Sequence, residues 1–392
     1  MLAINSLYEK IVQYKINLNK KLRKNGEKKK RAFIGPKQIW INPTDFVCNN
    51  RCHMCLNQKL DKQELKNHIK KELNTRCLIG DYKRLFRLMT RGLSIVTICG
   101  GGEPLMHPDC ISLMKLVKDR GYIGHMVTNG VLLNQDAAKT IVDKNWDFVR
   151  VSANAGDEKT YTKIVNTKNF EKLKANLMQL TNIRAKNCKE DKISITLFFV
   201  LQRESIGNIA AMLSFAKEVN ANAAEFDMIK PFDQKDELTI SERKKLHDEL
   251  VITIKDFNII SNGQIVIDSL AKEIEKDSEA DNKNKKELKA LSTSDNIKSN
   301  GKLKNQAFLL GKECVIGFHQ AFIKASGDVV PCCFSSDVMG NIKEKSFIKI
   351  WYGKKYSDFR KKVMNNRFLV YCHNFCHHCP PDMLRDKQKF NI

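Results

Sequence analysis

The chain has no long apolar run. Its 392 residues contain no stretch approaching the ~18 consecutive apolar residues that a membrane-spanning helix needs. Residues 1–31 carry charges where a secretory signal would need an uninterrupted apolar core. These absences predict a cytoplasmic protein without a transmembrane segment. The length exceeds the size at which one hydrophobic core usually stops growing, which favours one large domain and a smaller one.

Arginine clusters are also lacking, although the formal net charge is +24. Most of the basic residues are lysines, whereas bidentate phosphate recognition favours arginine. A solvated lysine surface is therefore a better interpretation than a nucleic-acid-binding stripe, and we expect no nucleic-acid partner. Modification of RNA is kept as an alternative, but stacking aromatic residues interleaved with basic ones are not found.

Cysteine is abundant and unevenly distributed, with 13 residues in the chain. A reducing cytoplasm keeps thiols free, so metal binding or catalysis explains them better than a disulfide framework. Three lie between Cys48 and Cys55, and six lie between Cys314 and Cys379. The scattered remainder are expected to be small buried side chains without a role: Cys77, Cys99, Cys110 and Cys188.

Short apolar runs alternate with helical patterns from about Lys37 to Ser269. This alternation predicts an α/β fold with parallel strands and crossover helices, and about six units favour a partial (β/α)6 TIM-like barrel. The predicted strands are Gln38 to Ile41, Ser94 to Ile98, Ile123 to Val127, Phe148 to Ser152, Ile193 to Val200, Ala224 to Met228 and Ile265 to Ile267. The predicted helices are Ile111 to Arg120, Ala137 to Lys144, Phe170 to Arg184, Ile209 to Val219 and Glu242 to Ile254.

The two ends of this region differ from it in composition. Apolar residues from Ile4 to Leu18 recur at three- and four-residue steps, which predicts an amphipathic helix, and Lys24 to Arg31 reads as a basic linker. Glu273 to Asn305 is charged and poor in apolar residues, which predicts a flexible insertion or interdomain linker. The expected domains are 1–33 (helix and linker), 34–270 (barrel), 271–312 (insertion) and 313–392 (a small cysteine-rich domain).

Cys48, Cys52 and Cys55 place three thiols within eight positions directly after a predicted strand. Four thiolates would close a [4Fe–4S] cluster, whereas three leave one iron free to bind a reacting molecule. A zinc site with His53 as the fourth ligand is the alternative.

A glycine run follows the next predicted strand. In Gly100-Gly101-Gly102-Glu103 the glycines expose backbone that can approach a small charged ligand closely, and Glu103 supplies an acceptor for an ammonium group. By itself a glycine run is often only a tight turn. Its place one β–α unit after a three-cysteine loop makes a ligand site the better interpretation.

Together these motifs resemble the radical S-adenosylmethionine (radical SAM) superfamily. The matching residues are Cys48-x3-Cys52-x2-Cys55, Gly101-Gly102-Glu103-Pro104, Thr128-Asn129-Gly130 and Val151-Ser152-Ala153-Asn154. The resemblance implies that the three cysteines are the catalytic cluster ligands, and that SAM binds the fourth iron. It also implies that Gly101, Gly102 and Glu103 hold the methionine ammonium, and that Ser152 and Asn154 contact the ribose or carboxylate. The family usually has an aromatic residue where this chain has Met54.

The chemistry implied by this resemblance is reductive cleavage of SAM to a 5′-deoxyadenosyl radical that abstracts hydrogen from a substrate. An electron donor such as flavodoxin or ferredoxin would be a partner. Charged acid–base residues are not required for that step, which agrees with the lack of a Ser/His/Asp constellation in the sequence.

A second cysteine module follows the charged insertion. Two short strands are predicted around a turn at Ser326-Gly327-Asp328, with a helix around Ile348 to Val363 beyond them. The module resembles the SPASM domain through Cys314, Gly327, Cys332, Gly340-Asn341-Ile342, Ile350-Trp351, Arg360 and the Cys376-x2-Cys379 pair. The resemblance implies a second [4Fe–4S] cluster held by Cys314, Cys332, Cys376 and Cys379, with Cys372 and Cys333 as alternatives. Structural zinc is the competing interpretation, since two cysteine pairs also describe a zinc ribbon.

The sequence therefore predicts a radical SAM enzyme with an auxiliary cluster that assists electron transfer. The resemblance implies a peptide or protein side chain, or a small metabolite, as the substrate. The alternatives are an RNA-modifying enzyme with the same core and a zinc-binding interaction protein without catalysis.

Overall fold

The structure is a computed structural model that describes residues 2–89, 91–229, 236–257, 259–275, 314–333 and 335–364. These residues form two compact units. The first draws on the described residues of Met1–Val47, Lys66–Met126 and Ala307–Ile392, and the second on those of Cys48–Leu65 and Val127–Gln306. Within the described ranges, no helix combines the length and the apolarity needed to cross a bilayer.

Strands and helices alternate along most of the described chain. The strands are β1 (Gln38–Ile41), β2 (Ile95–Ile98), β3 (Ile123–Thr128), β4 (Phe148–Ser152), β5 (Ser194–Leu201), β6 (Ala223–Met228), β7 (Ile260–Ser261), β8 (Gln320–Ile323), β9 (Asp328–Val330) and β10 (Gly340–Asn341). The helices are α1 (Leu2–Lys28), α2 (Lys62–Thr75), α3 (Ile79–Arg87), α4 (Cys110–Asp119), α5 (Gln135–Asp143), α6 (Glu158–Val165), α7 (Phe170–Lys186), α8 (Ile209–Glu218), α9 (Ile240–Asp256), α10 (263–275), α11 (Ile316–His319), α12 (Phe347–Trp351) and α13 (Lys354–Met364).

The sheet of the first unit has the strand order β10-β9-β8-β1-β2-β3. Strands β8, β1, β2 and β3 run parallel, and β9 and β10 are antiparallel to their neighbours. The predicted turn at residues 326–328 does join a hairpin, β8–β9. Its first strand pairs with β1 over four residues, from Gln38 opposite Gln320 to Ile41 opposite Ile323. The hairpin β8–β9 is therefore hydrogen-bonded directly to β1, the strand that precedes Cys48.

The second unit contains the parallel strands β4, β5, β6 and β7 in that order. Side chains alternate between two environments, as they do across any strand. In β4, Val149 and Val151 are fully buried, whereas Arg150 and Ser152 on the opposite face are half-buried. One face of this sheet thus belongs to the hydrophobic core, and the other presents polar groups.

Strand prediction from apolar runs succeeded for the first six strands, each to within one residue at either end. The seventh prediction, Ile265 to Ile267, was wrong because these residues lie in α10. Val266 and Leu270 are buried four residues apart, which is the spacing of one helix face.

The predicted basic linker was also partly wrong, because α1 continues to Lys28. The buried Arg23 side chain donates through Nη2 to the Gly92 carbonyl oxygen at 2.6 Å. Glu27, one turn further on, contacts His319 Nε2 at 2.7 Å. These contacts hold the last turns of the helix against the first unit, which a charge pattern alone does not reveal.

Arg360 on α13 organises the packing of the C-terminal helices. Its side chain is 1% exposed and donates to the carbonyl oxygens of Gly317 and Trp351, both at 2.8 Å. Its guanidinium lies 4.4 Å from the ring centroid of Trp351 and 4.7 Å from that of Tyr356. Burial lowers the pKa of Arg360 to about 10, so the group stays charged at neutral pH.

We expect Arg360→Met to lower the free energy of unfolding by about 2–4 kcal/mol, because two buried carbonyls would lose their donors and the rings their cation. Denaturant unfolding followed by Trp fluorescence measures the change. Arg203→Lys, at an exposed arginine paired with Glu242, is the control and should have little effect. Equal unfolding midpoints for the two variants would contradict this role.

Candidate functional site

The chain just before Cys48 is fixed by a buried carboxylate that the sequence analysis missed. Glu72 on α2 is 5% exposed, and its Oε2 accepts the backbone N–H groups of Asp45 at 3.1 Å and Phe46 at 2.6 Å. Burial raises the pKa of this carboxyl group, and the backbone donors oppose the rise. Asp45 in turn accepts the backbone N–H of Ala325 at 3.1 Å. The loop that enters the cysteine motif is thus held by two carboxylates.

Replacing Glu72 with Gln would leave only a neutral amide oxygen to accept the N–H groups of Asp45 and Phe46, which weakens both hydrogen bonds, and would put an NH2 group at the buried position of Oε1. We expect Glu72→Gln to lower the free energy of unfolding by about 1–3 kcal/mol and to reduce the iron retained after anaerobic reconstitution. Iron analysis after desalting measures the second effect. Glu344→Gln, at an exposed glutamate of the same unit, is the matched control and should retain the wild-type iron content. Full iron retention by both variants would contradict the assignment.

The glycine run packs its backbone against the same loop. A Cβ atom at Gly100, Gly101 or Gly102 would lie 2.7, 2.5 or 2.2 Å from a backbone carbonyl oxygen of residues 44–47. Glu103 N donates to the Val47 oxygen at 2.8 Å, one residue before Cys48. Only glycine allows this approach. The Glu103 side chain is 2% exposed, and its Oε1 accepts Leu105 N at 3.1 Å.

The cysteine loop of the second unit is anchored on the end of α6. Arg51 N and His53 N donate to the carbonyl oxygens of Val165 and Ile164 at 3.2 and 3.0 Å. The buried Asn50 side chain donates to Tyr161 Oη at 3.3 Å, and its own oxygen accepts from Thr167 and Asn169. These partners lie more than 100 residues away in sequence. The conformation of the cysteine loop is therefore fixed by hydrogen bonds to distant residues of the second unit.

Asn129 of the Thr128-Asn129-Gly130 motif contacts the cysteine loop directly. Its Nδ2 donates to Asn49 Oδ1 at 2.8 Å and lies 3.8 Å from Cys48 Sγ. Thr128 Oγ1 accepts Gly130 N at 3.1 Å, and Gly130 has a φ of +78°. The motif therefore forms a turn that aims an amide donor at a cysteine sulfur, and hydrogen bonds to cluster sulfurs are one way in which proteins tune reduction potential.

The three thiols form a donor set suited to iron. Cys48 is exposed, and Cys52 and Cys55 are half-buried. Burial, together with repulsion from Cys55 and Cys48, raises the pKa of Cys52 to about 12. Three thiolates in one loop repel one another until bound positive metal neutralises them, so these residues fit a metal cluster. As placed in the described part of the chain, no three His, Cys, Asp or Glu side chains converge closely enough to hold a metal ion.

Ser152 and Asn154 lie at and just beyond the end of β4. Ser152 is half-buried on the polar face of the sheet. Asn154 is 4% exposed with a φ of +62°, and its Oδ1 accepts the backbone N–H of Val200 at 3.3 Å. The Asn154 side chain is thus hydrogen-bonded to β5, whereas Ser152 faces the polar side of the unit.

Three cysteines of the C-terminal module lie in the described part. Cys314 and Cys332 are half-buried, and Cys333 is exposed. The predicted ligands Cys376 and Cys379, and the alternative Cys372, lie outside the described residues.

The scattered cysteines behave differently from one another. Cys77 and Cys110 are buried, as expected, whereas Cys188 is exposed, so the prediction of burial was wrong for it. Cys99 is half-buried and its Sγ donates to Asn42 Oδ1 at 3.0 Å. Burial raises the pKa of Cys99, and Cys333 adds to the rise.

The described residues define the class of fold and site, a mostly parallel α/β architecture with a three-cysteine loop. Residues 42–216 match the family model of the radical SAM superfamily, and residues 314–380 match that of the SPASM iron–sulfur cluster-binding domain. Residues 42–216 thus form a radical SAM domain and residues 314–380 a SPASM domain, as the sequence motifs predicted. These two domains imply SAM, a [4Fe–4S] cluster and a further iron–sulfur cluster as cofactors.

Several curated relatives share part or most of the chain. A PqqA peptide cyclase from Gluconobacter oxydans is 28% identical over 125 residues, which are 32% of this chain and 33% of the cyclase. A UPF0026 protein from Helicobacter pylori is 20% identical over 203 residues, which are 51% of this chain and 63% of the Helicobacter protein. The chain therefore spans only part of these two relatives. A tungsten-containing aldehyde ferredoxin oxidoreductase cofactor-modifying protein from Pyrococcus furiosus is 24% identical and covers 80% of each chain.

Solved structures agree on the fold. SuiB from Streptococcus suis bound to S-adenosylmethionine aligns with a TM-score of 0.54 at 15% identity, covering 83% of this chain and 66% of SuiB. The anSMEcpe structure with AdoMet and Cp18Cys peptide aligns with a TM-score of 0.51 at 16% identity, covering 86% and 87%. The predicted α/β partial barrel with a small cysteine-rich C-terminal domain is confirmed at this level.

Proposed function

We propose that this chain cleaves SAM reductively at a [4Fe–4S] cluster held by Cys48, Cys52 and Cys55, and abstracts hydrogen from a peptide or protein side chain or from a small metabolite. The observation that carries the proposal is the construction of the cysteine loop. Its backbone hydrogen-bonds to the end of α6, and an amide N–H of Asn129 points at Cys48 Sγ. When bound, the reduced cluster and SAM together supply a radical able to abstract hydrogen from an unactivated C–H bond.

The glycine run is proposed to bind the methionine part of SAM. Gly101 is exposed, so its backbone is open to a ligand, and Glu103 supplies a carboxylate next to it. The contacts of this run with residues 44–47 support the proposal, because they fix the backbone before a ligand arrives and reduce the ordering cost of binding.

Ser152 and Asn154 are proposed to serve the ribose or carboxylate of SAM in different ways. Ser152 presents a hydroxyl on the polar face of β4 and can contact the ligand. The Asn154 amide oxygen already accepts Val200 N, so its contribution would come from its remaining amide donors and from the left-handed turn it makes.

The auxiliary cluster is proposed to be held by Cys314, Cys332, Cys376 and Cys379 and to accept an electron from the substrate radical. A cluster with four cysteine ligands has no free iron for substrate, which favours electron transfer as its role. A flavodoxin or ferredoxin is the proposed donor to the first cluster.

Peptide is the favoured substrate class. The Gluconobacter relative is described as a peptide cyclase, and SuiB and anSMEcpe structures contain peptides. The Pyrococcus relative, described as cofactor-modifying, supports the small-molecule alternative and matches a larger share of this chain.

Anaerobic reconstitution tests the proposal. Protein carrying about eight iron atoms per chain, in two [4Fe–4S] clusters, should form methionine and 5′-deoxyadenosine from SAM when dithionite is supplied. A colourless protein with stoichiometric zinc and without 5′-deoxyadenosine formation would reject it.

A further inference from the structure

A cavity of about 340 Å³ lies in the first unit and is used by none of the proposed cofactor contacts. Its walls come from the segment that follows α1 and from residues at the end of α12 and in α13. The lining residues are Arg31, Ala32, Phe33, Tyr352, Ser357 and Arg360. A volume of this size, with mixed aromatic and polar walls, suits a small organic molecule.

The two walls of the cavity are fixed to each other and to α1. Trp351 Nε1 donates to the Ile34 carbonyl oxygen at 3.0 Å, and both residues are buried. Arg31 N donates to the Gly26 carbonyl oxygen at 2.9 Å, which holds the segment against the last turns of α1. The cavity is therefore shaped before any ligand arrives, and that lowers the ordering cost of binding.

Arg360 brings a buried donor to this cavity. Its Nε and Nη1 donate to the carbonyl oxygens of Gly317 and Trp351, whereas its buried Nη2 has no hydrogen-bond partner among the described residues. The groups that oppose the lowering of its pKa by burial are Tyr356 and Tyr352, and neither is a carboxylate. A buried cation with an unused N–H donor is costly, so an acceptor with negative charge would stabilise it.

The other lining residues make the cavity positive and partly aromatic. Arg31 is exposed and forms no ion pair within the part of the chain that the structure describes, and no carboxylate lines the cavity. The Phe33 and Tyr352 side chains are 42% and 44% exposed, and Lys29 Nζ lies 5.9 Å from the centroid of the Phe33 ring. Arg31 and Arg360 are far apart in sequence, so the search for arginine clusters could not find this pair.

We propose that this cavity binds a small organic anion, with its carboxylate or phosphate group held by Arg31 and Arg360 and its ring packed on Phe33 and Tyr352. Guanidinium groups suit this role because their planar N–H donors match the oxygens of carboxylate and phosphate. The inference is independent of SAM cleavage, since none of the proposed cluster or SAM ligands lines the cavity.

Phenyl phosphate, benzoate and uncharged benzyl alcohol serve as probes in equilibrium dialysis against the full-length, reconstituted protein in about 0.15 M NaCl. At least one of the two anions should bind with a Kd of about 1 mM or tighter, and at least about tenfold more tightly than benzyl alcohol. Arg31→Gln should weaken binding of the anion at least about tenfold, because a charge-assisted hydrogen bond is lost. Arg87→Gln, which removes an exposed arginine of α3 in the same unit, should leave it unchanged.

A second measurement on the wild-type protein does not depend on any variant folding. The bound anion should slow amide hydrogen exchange in peptides that cover residues 31–34 and 352–360, and leave exchange in α7 unchanged. Absence of binding by both anions at about 10 mM would overturn the inference. Equal affinity of the wild type and Arg31→Gln, or slower exchange only outside these two segments, would also overturn it.

Discussion

Replacing Cys48, Cys52 and Cys55 together with Ala is expected to abolish formation of 5′-deoxyadenosine and to remove about four of the roughly eight irons. Without thiolates the loop has no ligands for the first cluster. The cysteines proposed for the auxiliary cluster are untouched, so brown protein with about four irons should remain. Iron and sulfide analysis, with product detection by mass spectrometry, measures both effects.

Cys188→Ala is the matched control for this triple variant. Cys188 is an exposed cysteine with no proposed ligand role, so its replacement should leave iron content and product unchanged. Product formation by the triple variant at the wild-type rate would contradict the assignment of the loop. Loss of all iron would instead show that the two clusters do not assemble independently.

The barrel strands were predictable because their signal is local. In β4 the buried Val149 and Val151 alternate with half-buried neighbours, so apolar period and burial coincide over a few residues. Helix α2 gave no such signal, because Glu72 is the buried residue on a helix made mostly of charged and polar residues. Its burial depends on backbone donors at residues 45 and 46, which no sequence period encodes.

The candidate site also contains residues that the sequence predicted and residues that it did not. Cysteine spacing and the glycine run are contiguous motifs, so the sequence named them directly. The side chains that hold the loop could not be found, because Asn50 meets Tyr161 across 111 positions and Asn129 meets Asn49 across 80. The candidate cluster and SAM ligands could therefore be predicted from the sequence. The residues that position them could be identified only from the structure.

Within the glycine run, Gly102 has the least room for a side chain. A Cβ added there would lie 2.2 Å from the Val47 oxygen, 2.8 Å from its carbonyl carbon and 3.0 Å from its nitrogen. All three atoms belong to the backbone, so no side-chain rotation relieves the clash. Relief requires movement of the glycine run or of the segment that leads into Cys48.

We therefore expect Gly102→Ala to slow formation of 5′-deoxyadenosine about a hundredfold, because a displacement of about 1 Å in a positioned site costs that much. Weaker binding of SAM in equilibrium dialysis should accompany the loss. Gly80→Ala is the matched control. Gly80 lies in α3 with nothing within 4 Å of an added Cβ, so alanine there should leave the rate unchanged and stabilise the helix by roughly 0.5–1 kcal/mol. Wild-type rates in both variants would show that residues 44–47 yield freely, and the glycine run would then have no positioning role.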